Sequence, residues 1–69
     1  MTDTKELEVA IARAGISKRE IAKLLGVSEA TLYNKLSNKV EFKASEIVKM
    51  CDILKLNRTQ REQIFLSCQ

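Results

Sequence analysis

The sequence predicts an all-α fold, a compact bundle of five short helices, on three observations. The 69 residues contain no Pro and only two Gly, and Ala, Leu, Ile, Lys and Glu dominate. These are residues that helix interiors favour, as they exclude Pro and disfavour Gly. Apolar positions recur at helical spacing, and no alternating run of β-branched residues reads as a strand. Capping signals divide the chain into pieces, each too short for anything but a small helix. A chain of this length buries a modest core, and short helices joined by local contacts are the economical way to build one.

The first helix is expected from about Thr4 to Ala14. Asp3 and Glu6 have capping-box spacing. Leu7, Ala10, Ile11 and Ala14 make one apolar face. Gly15 suits a left-handed stop, and Ile16 packs back. A second capping box, Ser17-Lys18-Arg19-Glu20, opens the second helix. Ile21, Ala22, Leu24 and Leu25 are its expected inner face, and Gly26 ends it. Ser28 caps the third helix, with Val27 before it as a hydrophobic staple on Leu32. Only Ala30, Leu32 and Leu36 are apolar there. Its other face is Glu29, Tyr33, Asn34 and Ser37, flanked by Thr31 and Lys35.

A loop from Asn38 to Glu41 and a core anchor, Phe42, lead to a fourth helix from about Ala44 to Leu54. Its apolar stripe is Ile47, Met50, Cys51 and Leu54, closed by Leu56. The fifth helix is expected after a box at Thr59-Gln60-Arg61-Glu62, with Ile64 and Phe65 inward.

Composition removes several function classes. No His is present, and the two cysteines, Cys51 and Cys68, fall short of the roughly four ligands of a structural metal site. No cofactor or metal is expected. With no nucleophile–base pair and no Gly-rich phosphate loop, an enzyme acting on a small-molecule substrate is not expected either. No apolar run approaches the roughly 20 residues of a membrane span, and no signal peptide is legible. A soluble cytoplasmic protein without a membrane partner is the expectation. Net charge is +3, from 12 basic and 9 acidic residues. Lys18, Arg19, Lys23, Lys35, Lys39 and Lys43 gather in the middle of the chain against Glu20, Glu29 and Glu41. A localised basic face suits a polyanion. The same charges could equally be a solvated surface, so charge alone decides nothing.

The stretch from Ser17 to Ser37 is more informative. A helix–turn–helix unit needs a small residue where the second helix crosses the first, supplied by Ala22. It needs a glycine at positive φ in the turn, Gly26, and an apolar residue just after it, Val27. It also needs a buried anchor in the second helix, Leu32. All occur together at compatible spacing, with Ile21 and Leu25 as further core positions.

IAKLLGVSEATLYNKLSNKVEF, followed by SEIVKMCDIL, resembles the phage repressor/Cro, or Xre-type, class of the lambda-repressor-like superfamily. It is similar in particular to short regulators from phages and prophages of Gram-positive bacteria. The likeness runs from about Lys5 to Phe65. It implies one helix-turn-helix DNA-binding domain over 1–69, with the motif at about 17–37, acting as a Cro-type repressor on palindromic operators in the bacterial nucleoid. It also implies a homodimer, since one module has little interface for tight specific binding. The fifth helix and the loop after the third are the expected contact regions. Two positions depart from the pattern: Lys43 stands where relatives carry a Thr or Ser cap, and Lys18 where Gln is common.

The third helix is then the reading helix. Ser28, Glu29, Ala30, Tyr33, Asn34 and Ser37 are the candidate base contacts. Asn pairs with adenine, Glu accepts from cytosine, and Ala can touch a thymine methyl. Ser17, Lys18, Thr31, Lys35, Asn38, Lys39, Lys43 and Ser45 are the candidate phosphate contacts, which position without reading sequence. Arg19 and Lys23 fit phosphate contact and plain surface equally. The alternative is a protein-interaction module on the same fold, antitoxin- or anti-repressor-like, kept open by the acidic Glu29.

Overall fold

The computed structural model describes residues 2–65, and Cys68 lies outside them. Five helices occur in order: α1 (Thr4–Ala14), α2 (Lys18–Leu25), α3 (Glu29–Leu36), α4 (Ala44–Ile53) and α5 (Arg58–Phe65). No strand occurs among the described residues. The molecule measures 27 × 24 × 20 Å.

Each boundary has a local cause. The Asp3 carboxylate accepts from the Glu6 N–H at 3.2 Å, and the Ser17 hydroxyl accepts from the Glu20 N–H at 3.1 Å. Each satisfies a backbone donor that the first helical turn leaves unpaired. Gly15 and Gly26 end α1 and α2 at φ 69° and 78°, a left-handed region that costs a residue with a Cβ. The N–H of Gly26 then bonds back to the Ala22 carbonyl at 2.9 Å, which closes the turn.

Lys43 does stand at the cap of α4, but a lysine side chain has no acceptor to offer. Only half of a capping box forms: the Lys43 N–H donates to the Glu46 carboxylate at 2.8 Å. α5 begins earlier than the sequence suggests. Its box is Asn57 with Gln60, each side chain accepting from the other's backbone N–H at 2.8 and 2.9 Å. Asn caps at least as well as Thr, and the left-handed Lys55 at φ 53° turns the chain so that Asn57 reaches the cap position first. Glu62 instead pairs with Arg58 at 3.4 Å.

α2 packs on α3 and α4, and α1 on α3 and α5. Leu7, Ile11, Ile21, Leu25, Leu32, Ile47, Met50 and Phe65 meet in one core. Phe42 and Phe65 pack edge to face with centroids 5.6 Å apart, a favoured aromatic geometry. Three alternatives to the expected inner faces appear. Ala14 is exposed and Cys51 is only half-buried. Leu24 is 51% exposed, because α2 turns Ile21, Ala22 and Leu25 inward and position 24 falls on the flank of that arc.

Candidate functional site

α3 follows α2 after only three residues, Gly26-Val27-Ser28. The Ser28 hydroxyl accepts from the Thr31 N–H at 3.1 Å and donates to the Thr31 hydroxyl at 2.9 Å. Val27 is partly buried and packs against the core, to which Leu32 also belongs. These contacts fix where α3 starts and how it leaves the turn.

The helix is then sharply two-sided. Leu32, Lys35 and Leu36 are buried. Glu29, Ala30, Tyr33, Asn34 and Ser37 are all exposed. Spacings of three and four bring these five to one side, so they form a continuous polar face. Tyr33 is 52% exposed. Ser37 donates its hydroxyl to the Asn34 carbonyl at 3.2 Å, which closes the end of the helix. Ser28 is exposed too, but its hydroxyl is engaged in the cap. Any contact it makes with a ligand competes with that bond.

The flanking positions divide. Ser17, Lys39, Lys43 and Ser45 are exposed. Ser17 caps α2. Thr31 is half-buried and takes the Ser28 hydrogen bond. Asn38 is half-buried at φ 63°, and its side-chain amide donates to the Thr2 carbonyl at 3.0 Å. It ties the loop after α3 to the start of the chain, where the Asp3 N–H also reaches the Ile64 carbonyl at 2.7 Å.

Lys35 lies in the core and not on the surface. The sequence places it on the flank of α3 as a phosphate contact, but it is 3% exposed. Its Nζ lies 2.8 Å from the Glu46 carboxylate and donates to the Glu41 carbonyl at 3.1 Å. It also sits 5.7 Å from the centre of the Phe42 ring. A buried ammonium so committed cannot reach a phosphate without leaving a carboxylate unpaired. Burial opposes the charge on Glu46. The hydrogen bonds from Lys35 and the Lys43 N–H, with the positive charge of both lysines, outweigh it and hold the carboxyl below its ordinary value. Glu46 went unnoticed in the sequence. Its signal was its place three residues after the cap position, where it serves the α4 start and Lys35 together.

Lys18 is engaged as well. It is half-buried, 3.1 Å from the Glu8 carboxylate, and its Nζ lies 5.6 Å from the centre of the Tyr33 ring. Of the six basic side chains in this region, two are therefore in ion pairs, while Arg19, Lys23, Lys39 and Lys43 are exposed. The arrangement offers hydrogen-bonding groups on one helix face, with positive charge at its C-terminal side.

Among the described residues no cluster of His, Cys, Asp and Glu could hold a metal ion, and no helix is long and apolar enough to cross a membrane. A family model described as Protein of unknown function (DUF739) matches residues 3–67. No curated protein and no solved structure matches the chain.

Proposed function

We propose that the chain, which belongs to the DUF739 family, is a sequence-specific double-stranded DNA-binding regulator that reads operator DNA with α3 as the second helix of a helix-turn-helix. The observation that carries this is the two-sidedness of α3. Glu29, Ala30, Tyr33, Asn34 and Ser37 are exposed together, while Leu32, Lys35 and Leu36 seal the opposite side. The major groove admits one helix, and side chains of these types can reach base edges from it. Asn34 suits adenine, Glu29 cytosine N4, and Ala30 a thymine methyl. Lys39 and Lys43, exposed beyond the end of α3, serve phosphates, with Ser45 and the Ser17 end of α2. The resemblance to the repressor/Cro class points the same way, and on it we assign a homodimer on a palindromic site, in the cytoplasm of a bacterial host.

The test is selection of binding sites from random duplex DNA, followed by affinity measurements across salt concentrations. A palindromic motif is expected. With Lys39 and Lys43 from two protomers meeting about four phosphates, affinity falls roughly a hundredfold between about 50 and 200 mM salt. Asn34→Ala relaxes selection at one base position per half-site, by roughly tenfold or more. Failure to enrich any motif would sink this reading.

One observation favours a protein partner as second reading. α1, α5 and the turn before α5 border a groove of about 190 Å³, with Val9, Leu54 and Leu56 among its walls and Val9 exposed. Protein capture through that groove, unaffected by changes in α3, would support it.

A further inference from the structure

Lys18 links three helices. It is the first residue of α2, it pairs with Glu8 of α1 at 3.1 Å, and its ammonium lies 5.6 Å from the centre of the Tyr33 ring on α3. A cation within about 6 Å of an aromatic face is attracted to it. The ammonium thus has the Glu8 carboxylate and the Tyr33 ring both within reach. Tyr33 is also half-exposed on the polar face of α3. Without a neighbour, such a ring would sample several rotamers.

From this geometry we infer that Lys18 is a positioning residue: held by Glu8, it presents the Tyr33 ring on the reading face rather than contacting a phosphate itself. The inference rests on the DNA-binding reading. It makes Glu8, on a helix that supplies no contact residue, a determinant of specificity. Binding then gains from a ring already ordered before DNA arrives. It also explains how a lysine at the start of α2 can serve an interface while its charge is spent on a carboxylate.

Two measurements on the full chain test it. The first needs no DNA. Tyr33 is the single tyrosine, and the chain has no tryptophan. In the free protein, the Lys18 ε-methylene protons should be shifted upfield by the Tyr33 ring in the NMR spectrum. The shift should vanish in Tyr33→Leu and shrink in Glu8→Gln. The second is binding to the selected operator. Tyr33→Leu identifies the base pair that the ring contacts. At that pair Lys18→Met should lower discrimination about fourfold and Glu8→Gln less, while Lys18→Arg retains it. The slope of log affinity against log salt should stay unchanged in Lys18→Met. A drop in that slope of about 0.9 per protomer would make Lys18 a phosphate contact and overturn the inference. Loss of discrimination equal at every base pair would overturn it too, as would an unshifted Lys18 methylene. If the unmodified chain enriches no site at all, the DNA reading fails, whereas the NMR result still decides whether Lys18 orders the ring.

Discussion

At the scale of single residues, charge in the middle of this chain does two unlike jobs. Lys39 and Lys43 face solvent, while Lys35 is enclosed with Glu46, the Glu41 carbonyl and the Phe42 ring. A buried ion pair is costly to break from one side, because the remaining charge stays desolvated. Lys35→Met is therefore expected to cost about 3 kcal/mol in urea unfolding. Lys35→Met with Glu46→Gln should recover more than half of that, since the Gln still accepts from the Lys43 N–H. A double variant as unstable as the single one would contradict this account. The pair also sets a pH dependence. Glu46 titrates below its ordinary value of 4.5 in the folded chain, so its contribution is full above about pH 4.5. It is lost as pH falls through the lower, folded value. Stability measured down that range should fall less steeply in the double variant. None of this was legible in the sequence, where Lys35 is one basic residue among six in the middle of the chain and its burial depends on where α4 lands.

Local chemistry governs the elements. Hydroxyl and carboxylate caps, two left-handed glycines and apolar residues three and four apart set α1, α2 and α3 to the residue the sequence indicates. The start of α5 moved because two boxes with identical spacing compete, at Asn57 and at Thr59, and only the fold of the preceding turn selects between them. Ser28 carries the most weight, since it caps the helix with the polar face and braces Thr31. Ser28→Ala should lower stability by about 1 kcal/mol, and Ser28→Asp should not, because Asp caps as well. If the function is as proposed, Asp nonetheless weakens operator binding, since it adds negative charge beside the phosphates. Comparing urea midpoints with affinities separates the two effects.

For the molecule as a whole, one small core supports every surface. Phe65 is fully buried against Phe42, and the neighbouring Ile64 carbonyl accepts from the Asp3 N–H, so the two ends of the described chain close on each other. A domain this small has few kilocalories to lose. Phe65→Ala should cost about 4 kcal/mol and lower the melting temperature by about 20 °C, read by circular dichroism. A shift of only a few degrees would mean that the core closes without α5.

The sequence by itself determined the all-helical architecture, most helix boundaries and the exposure of Glu29, Ala30, Tyr33, Asn34 and Ser37 on α3. These follow from interactions between residues a few positions apart, whose geometry a helix fixes. It also named most of the core. Tertiary structure alone decided that Leu24 is exposed and Lys35 buried, that Asn38 is spent on Thr2, and that Lys18 has both Glu8 and Tyr33 within reach. Each of these depends on which side of one helix meets another. That is settled by packing the whole core at once, and no spacing along the chain encodes it.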